Sequence, residues 1–224
     1  DGPAGFNSNL IFNEIDSVTS VNEGLYRLRI VRDGCWSDYS TAFVSILSPL
    51  STVNVSGDIY NQIGSPVRSV TITATSGMNS DSTLTDTTGY YALDIIQNSA
   101  YTLTPKKNND SIVTNGISTL DLILIQSHIL SLNLLTDPYD ILAADVNLTS
   151  TITTFDIVLI RSIILNINNT FPGNNKWVFV DSDYTFPVPE NPFGYVDYRQ
   201  ISSSTNLQSL DFIGIKLGDV NGSW

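Results

Sequence analysis

Two stretches of eight residues decide the organisation of this chain: TLDLILIQ at residues 119–126 and TFDIVLIR at residues 154–161. Each begins with threonine, places an aspartate third, continues with four apolar residues and ends on a polar one. A third stretch, SLDFIGIK at residues 209–216, begins with serine instead of threonine, has glycine at one apolar position and otherwise follows the same order. Internal repetition of this kind indicates repeated structural units.

The apolar residues of the first repeat are spaced like one face of an α-helix. Leu122, Ile125 and Ile129 lie three and four positions apart, and isoleucines fill the matching positions of the second repeat. The hydroxyl and aspartate side chains at the start of each repeat suit a helix N-terminus, where free backbone N–H groups bind oxygen atoms. We therefore predict three helices, of which the third begins at Asp211.

The segment that precedes the second repeat has the spacing of a calcium-binding loop. Calcium is a hard cation that takes six to eight oxygen ligands, and a twelve-residue loop offers them at positions 1, 3, 5, 7, 9 and 12. Counted from an aspartate, all six positions in this segment fall on residues that can supply oxygen. They are Asp145, Asn147, Thr149, Thr151 through its main-chain carbonyl, Thr153 and Asp156.

Two residues of this loop depart from the usual pattern. Ser150 stands at position 6, where the left-handed backbone favours glycine and costs another residue about 1 kcal/mol. Thr149 replaces a carboxylate, which lowers the charge of the loop and its expected affinity. Extracellular calcium modules tolerate such losses, because they bind with dissociation constants of about 10⁻⁴ to 10⁻³ M. The alternative is a hydrogen-bonded turn that caps the helix without a metal.

The other two repeats lack a complete loop of their own. GDVN at residues 218–221 repeats the opening of the good loop, and NGISTLD at residues 115–121 looks like the second half of such a loop. We predict that these two halves meet and form a split calcium site. Its ligands would be Asp219, Asn221, Ser118 and Asp121.

A third candidate site would combine two distant segments. Asp181 and Asp183 form a D-x-D opening, and Asp211 begins the predicted third helix beyond an insertion at residues 186–208. An insertion of this kind allows the three carboxylates to converge on a cation. The alternative is a solvated acidic turn without a metal.

The first half of the chain has the pattern of β-strands. Residues 24–31 alternate between two faces, Asp33 and Gly34 are typical of a tight turn, and residues 40–47 supply another strand. Turns rich in Gly, Pro, Asn and Asp separate the remaining strands. We predict these strands at residues 53–60, 67–75, 82–85, 90–95 and 101–104.

Three resemblances follow from these motifs. Residues 106–224, with NGISTLDLILIQSHIL, TITTFDIVLIRSIIL and DFIGIKLGDVNG, resemble a dockerin type I module of Bacteroidota surface proteins. Residues 51–105, with VSGDIY, TLTDTTGYYALDII and YTLTP, resemble a carboxypeptidase-regulatory-like or Cna-B-type β-sandwich. Residues 1–50 are similar to the last strands of an Ig-like or PKD-like domain. The resemblance implies a multi-domain chain, in which all-β, Ig-like sandwich modules precede a mainly α, dockerin-like calcium-binding module.

Composition argues against several function classes. The formal charge of −12 opposes binding to nucleic acid, because phosphates would be repelled. Cys35 is the sole cysteine, so the chain has no internal disulfide and no Cys-based zinc site. No uninterrupted apolar stretch is long enough to span a bilayer. His128, the one histidine, lies in an apolar helical stretch and is interpreted as structural, so we expect no enzymatic activity.

Together these features predict a non-enzymatic, calcium-stabilised structural or adhesive module of a secreted, cell-surface or extracellular filament protein. Two alternatives are a dockerin that docks a cohesin-like partner, and an accessory part of a secreted hydrolase whose catalytic domain lies upstream. The resemblance also implies export by type IX secretion. Strand sharing with a neighbouring copy is a further candidate interaction. Short Asp-Ser/Thr motifs resemble the O-glycosylation motif of Bacteroidota exported proteins, which implies O-glycans at Ser17, Ser82, Thr87 and Ser111.

Overall fold

The computed structural model describes residues 2–5, 7–8, 19–46, 50–110, 112–202 and 204–224. The chain divides into two compact units, Asp1–Leu50 and Ser51–Trp224. Two of the suggested glycan positions, Ser17 and Ser111, lie outside the described residues.

The described residues of the first unit form two antiparallel strand pairs. Its elements are the 3₁₀ turns Pro3–Gly5 and Ser20–Asn22 and the strands β1 (Gly24–Leu28), β2 (Val31–Arg32), β3 (Cys35–Trp36) and β4 (Ser40–Val44). Strand β1 pairs with β4, and β2 pairs with β3. Between β2 and β3, Asp33 and Gly34 have φ angles of 53° and 82°. Two positive φ values suit a two-residue hairpin turn, so the turn predicted here is confirmed.

The second unit contains two four-stranded sheets. Its strands are β5 (Thr52–Asn61), β6 (Thr71–Ser76), β7 (Asn79–Leu84), β8 (Tyr90–Ile96), β9 (Ala100–Lys106), β10 (Trp177–Asp181), β11 (Arg199–Ser202) and β12 (Phe212–Lys216). One sheet has the order β10-β12-β5-β8 and the other the order β11-β9-β6-β7. The five strands predicted between residues 53 and 104 are confirmed as β5 to β9, although β6 begins at Thr71 rather than at Val67 and β7 begins at Asn79 rather than at Ser82.

The two sheets enclose a common apolar core and form a β-sandwich. Val55 and Ile59 of β5 and Tyr91 of β8 come from one sheet, while Ile72 of β6 and Leu103 of β9 come from the other. All five side chains are almost completely buried. Successive side chains of a strand point to opposite faces of its sheet, so every second residue of these four strands faces the core.

The third sequence repeat is a strand and not a helix, so the prediction of a helix beginning at Asp211 is wrong. Strand β12 runs antiparallel to β10 and parallel to β5, where Phe212 pairs with Ile59. Ile213 and Ile215 are β-branched and favour an extended backbone. A Cβ atom at Gly214 would lie 3.1 Å from the ring of Phe179, so close packing favours glycine there.

The chain before β12 lies directly on the sandwich. A Cβ atom at Gly57 would lie 2.4 Å from the carbonyl oxygen of Leu210, so this crossing requires glycine. The Tyr91 hydroxyl donates a hydrogen bond to the same carbonyl, and burial raises the pKa of that hydroxyl. Asp211 accepts a hydrogen bond from the backbone N–H of Asp58 at 2.8 Å. These contacts hold the start of β12 against β5.

Three helices lie between β9 and β10, together with a 3₁₀ turn. They are α1 (Thr119–Ile129), α2 (Pro138–Ala144), α3 (Thr154–Ile164) and the turn Pro172–Asn174. The first two sequence repeats thus form α1 and α3, as predicted. The sequence interpretation missed α2, although Asp137 at its N-cap and Pro138 in its first turn are a helix start signal. Among the described residues no helix is long and apolar enough to cross a membrane.

A second apolar core lies between the helices and the first sheet. Ile125 of α1 and Ile160 of α3 pack there with Val178, Val180 and Ile215. Within β10, Phe179 instead belongs to the core of the sandwich. Strand β10 therefore alternates between the two cores, and a single compact unit includes both.

Residues 106–224 thus contribute both helices and strands. The insertion at residues 186–208 supplies β11 to the second sheet, and its Phe193 and Tyr195 pack on the helical core. The sequence predicted a mainly α module in this region, whereas the structure has three short helices beside β10, β11 and β12.

Candidate metal sites

The loop that leads from α2 to α3 folds around the carboxylate of Asp145. One oxygen, Oδ1, accepts the backbone N–H of Thr149 at 3.0 Å, and Oδ2 accepts that of Ser150 at 2.7 Å. Ser150 has a φ of 64°, which is the left-handed backbone expected at position 6 of a calcium loop. The predicted strain at this serine is therefore present.

The middle of the same loop collects further oxygen atoms. Asn147 Oδ1 accepts the backbone N–H of Thr149 at 3.1 Å and its hydroxyl at 2.7 Å. The Thr149 hydroxyl lies 3.4 Å from the carbonyl oxygen of Thr151. Side-chain oxygens from positions 1, 3 and 5 and the carbonyl of position 7 thus meet inside one turn.

The loop ends on the first turn of α3. Thr153 is the N-cap, and its N–H and hydroxyl donate to Oδ2 of Asp156 at 2.9 and 3.0 Å. The residue Asp156 is completely buried, and its second oxygen, Oδ1, has no hydrogen-bond partner among the described residues. A buried carboxylate oxygen without a partner is costly, so it fits the position of a cation ligand.

The electrostatics of this loop also favour a cation. Burial raises the pKa of Asp145, the backbone N–H groups of Thr149 and Ser150 oppose that rise, and the Asp156 carboxylate adds to it. The two carboxylates therefore repel each other in a poorly hydrated place. A divalent cation between them would relieve the repulsion.

The second loop repeats this pattern with two pieces of chain. Ser223 N–H donates to Oδ1 of Asp219 at 2.9 Å and to Oδ1 of Asn221 at 3.1 Å, and Trp224 N–H donates to Oδ2 of Asp219 at 2.9 Å. The Ser223 hydroxyl donates to the carbonyl of Gly116 at 2.9 Å. Ser223 thus occupies the role that Thr149 has in the continuous loop.

The other half of this loop comes from the start of α1. Ser118 is the N-cap, and its N–H and hydroxyl donate to Oδ2 of Asp121 at 2.8 and 2.9 Å. Oδ1 of Asp121 accepts the N–H of Val220 at 2.9 Å. Gly116 has a φ of 79°, and a Cβ atom there would lie 2.5 Å from Asp219 Oδ2, so the close approach of the halves requires glycine.

The two predicted halves therefore lie together, with both carboxylates almost completely buried. Burial raises the pKa of Asp219, and the nearby Asp121 carboxylate raises it further against the hydrogen bonds from Ser223 and Trp224. The arrangement matches the continuous loop in each of these respects. Asp121 differs from Asp156 in that both of its oxygens accept hydrogen bonds.

The third candidate group contains an arginine. The guanidinium of Arg199 lies 3.5 Å from Asp181 Oδ2 and also pairs with Asp183. Burial raises the pKa of Asp181, and Arg199 opposes that rise. Asp211 instead accepts the N–H of Asp58. The carboxylates of Asp181 and Asp183 thus already contact a cationic side chain, which removes the electrostatic reason for a metal there.

The donor sets of the two loops contain few carboxylates. Within the part of the chain that the structure describes, no group of three or more His, Cys, Asp or Glu side chains converges. Each loop offers two aspartates, and its other oxygens belong to an asparagine, hydroxyl groups and a carbonyl. Such a set suits Ca²⁺, which accepts neutral oxygens, better than a transition metal.

The structure also contains a polar cluster that the sequence interpretation did not identify. Asp110 lies 3.3 Å from Lys107 and 3.4 Å from Lys216, and it accepts the Trp177 indole N–H. Burial raises the pKa of Asp110, but the Trp177 hydrogen bond and the two lysines outweigh this and lower it. The Trp177 ring also contacts that of Trp224 at a centroid distance of 4.7 Å.

The remaining predicted positions are readily located. His128 Nδ1 accepts the backbone N–H of Leu135 at 3.0 Å, which agrees with its structural interpretation. Ser82 lies on β7 and Thr87 in the turn before β8, and both are exposed. Cys35 is exposed in the first unit.

Comparison with known proteins adds little to this description. No protein-family model matches the chain, and no curated protein matches it. Among solved structures, it is similar to the C-terminal fragment of the pilus adhesin SpaC from Lactobacillus rhamnosus GG, at 12% identity and a TM-score of 0.24. The similarity covers 38% of this chain and 36% of that one, so the match spans about a third of each. A likeness this low carries no argument about fold or function.

Proposed function

We propose that this chain is a non-enzymatic, calcium-stabilised structural or adhesive module of a secreted cell-surface protein, of the dockerin-like kind. The observation that carries the proposal is the bonding pattern shared by two loops far apart in the sequence. In both loops an aspartate, an asparagine and a hydroxyl residue fold toward a buried aspartate in the first turn of a helix.

Both loops offer oxygen atoms of the kinds that bind Ca²⁺. In the first, Asp145, Asn147, Thr149, the carbonyl of Thr151 and Oδ1 of Asp156 would hold the ion. In the second loop, the corresponding groups are those of Asp219, Asn221, Ser223, Gly116 and Asp121. Bound Ca²⁺ would supply positive charge between two buried carboxylates, which otherwise repel each other.

The position of the loops supports a stabilising role. The first loop joins α2 to α3, and the second joins the start of α1 to the chain that follows β12. Calcium in the second loop would therefore hold the helices to the sheet. A ligand that binds the folded state and not the unfolded one stabilises the fold by mass action.

Two features support a non-enzymatic role outside the cell. The histidine, which is the usual general base, is already hydrogen-bonded to the backbone of Leu135. Each loop has only two carboxylates, and Ser150 adds backbone strain, so we expect affinities that suit millimolar extracellular calcium. We expect no third ion beside Arg199.

A thermal melt in calcium and in chelator tests the proposal. In 10 mM CaCl₂ a site with a dissociation constant of about 10⁻⁴ M adds about 2.7 kcal/mol, which raises the midpoint by several degrees for a unit of this size. The same concentration of MgCl₂ is the control for ionic strength and for divalent charge. Equal midpoints in CaCl₂, MgCl₂ and chelator would refute calcium stabilisation.

A further inference from the structure

The sides of α1 and α3 that point away from the core carry large apolar side chains. Each of the following is between 50% and 60% exposed: Leu120, Ile123, Leu130, Phe155, Val158 and Leu165. Leu132 and Ile167, just beyond the two helix ends, are 78% and 71% exposed. We name these eight residues the outer helical face.

This outer face is duplicated along with the repeat. Leu120 and Phe155 precede the buried aspartates of α1 and α3, and the remaining residues also occupy matching positions. The two helices contact each other and bury Ile125 and Ile160 in the same core. The two exposed rows therefore lie side by side, opposite that core.

The outer helical face lacks the acidic character of the rest of the chain. Asp121 and Asp156 are the only acidic residues of α1 and α3, and both are completely buried. Arg161 is the only Lys or Arg of the two helices. In a protein with a formal charge of −12, another acidic chain can therefore approach this face without meeting a carboxylate of α1 or α3.

The size of the face fits a stable contact. Eight large side chains, each at least half exposed, amount to an area on the order of 800 Å², which is the contribution of each partner to an interface of standard size. Monomeric proteins rarely expose larger apolar patches than this without a partner. The face is thus large enough to hold a dimer without help from other surfaces.

We propose that two copies of this chain associate through the outer helical face. A pair of helices from one copy would pack on the pair from the other, as in a four-helix bundle. The interface would be isologous, because the same surface of both copies takes part. The inference goes beyond calcium stabilisation and does not depend on it.

The charge of the chain gives this dimer a characteristic salt dependence. Two chains of −12 repel each other at long range, while the contact itself is apolar. Salt screens the repulsion and leaves the apolar contact in place, so association should tighten as NaCl rises from 0.05 to 0.5 M. An interface formed by ion pairs would weaken instead.

Sedimentation equilibrium of the full chain tests the proposal, with the double variant I123E/V158E and the control L84E. Leu84 is an exposed leucine on the edge strand β7, with an exposure of 58%, which is close to that of the two helix residues. The double variant places charges inside the contact and should weaken dimerisation by about 100-fold or more. The control should dimerise like the wild type. Circular dichroism and thermal midpoints establish that all three proteins fold.

Three outcomes would overturn the proposal. If the wild type sediments as a monomer up to 0.5 mM, two copies do not associate through the outer helical face. The face would then bind a partner of another sequence, such as a cohesin-like protein. A dimer that survives in I123E/V158E would place the contact elsewhere. Dissociation by L84E alone would indicate strand sharing along β7.

Discussion

The two candidate calcium loops share most of their hydrogen bonds but differ in their chain connections. The loop at residues 145–156 is continuous, so its ligands are close in sequence before the chain folds. The split loop joins residues 116–121 to residues 219–224, which meet only when β12 has paired within the sheet. The comparison shows that one bonding pattern can be a local turn in one place and a long-range connection in another.

The difference has an energetic consequence. Asp156 stabilises its own helix start and leaves one oxygen for a ligand, whereas Asp121 also accepts the N–H of Val220 from the far end of the unit. We therefore expect the split loop to contribute more to stability without calcium. Calcium binding should stabilise the continuous loop more than the split loop, because Oδ1 of Asp156 is buried without a hydrogen-bond partner in the described part of the chain.

The largest change in the free energy of unfolding should come from replacing Asp121 and Asp156, in the first turns of α1 and α3, one at a time. In chelator, Asp121→Ala should cost about 3 kcal/mol, because the N-cap contact is lost and the buried N–H of Val220 is left without an acceptor. Asp156→Ala should cost about 1 kcal/mol, the value of a cap contact alone. Urea unfolding of both variants measures the difference. Equal losses of unfolding free energy in the two variants would contradict the expected difference in stability between the two loops.

The third acidic group, Asp181 and Asp183, differs from the two loops because Arg199 supplies its positive charge. Arg199→Met should cost about 2 kcal/mol in the same measurement, because Asp181 keeps a partly buried charge without its partner. The calcium stoichiometry of the variant should stay that of the wild type. Arg68→Met, at an exposed position, is the matched control and should change neither quantity. Loss of a calcium ion in Arg199→Met would contradict this interpretation of the group.

The strained serine of the continuous loop gives a smaller, favourable effect. Ser150 has a φ of 64° and Ser131, after α1, has a φ of 55°. Glycine at either position should stabilise the unit by about 1 kcal/mol, because left-handed backbone is strained for serine. Only Ser150→Gly should also tighten calcium binding, as measured by calorimetry. A similar gain in affinity for Ser131→Gly would show that the effect does not arise in the loop.

The smallest effect concerns pH. Burial raises the pKa of Asp140 to about 6, with a further rise from Asp137. The folded state therefore holds a proton that the unfolded chain has released, so stability falls as the pH rises from about 4 to about 6. After allowance for its partial exposure, Asp140→Asn should remove about 1 kcal/mol of this fall. Parallel curves of midpoint against pH for the wild type and the variant would contradict the assignment.

The features that the sequence predicted well depend on neighbouring residues. Strands β5 to β9 follow from the turns rich in Gly, Pro, Asn and Asp that separate them, and α1 and α3 follow from their apolar spacing and their capping residues. The continuous loop was predictable because its ligands lie within one turn of chain. The split loop was predictable only because GDVN repeats the opening of the other loop.

The features that the sequence interpretation missed depend on distant contacts. SLDFIGIK has the apolar positions of the helical repeats, yet β10 and β5 lie on both sides of it, and backbone pairing there favours a strand over its weak helical preference. Asp110 contacts Lys216 and Trp177, which are far along the chain. Local periodicity carries no information about such partners.

Calorimetric calcium titration of the wild type, Asp219→Asn, Asp121→Asn and the double variant tests the central claim most directly. The two loops predict two bound ions for the wild type and one ion for each of the three variants, because Asp219 and Asp121 belong to the same site. Asp156→Asn should remove the other ion. A wild type that binds no calcium, or a double variant that loses more than either single variant, would contradict the account.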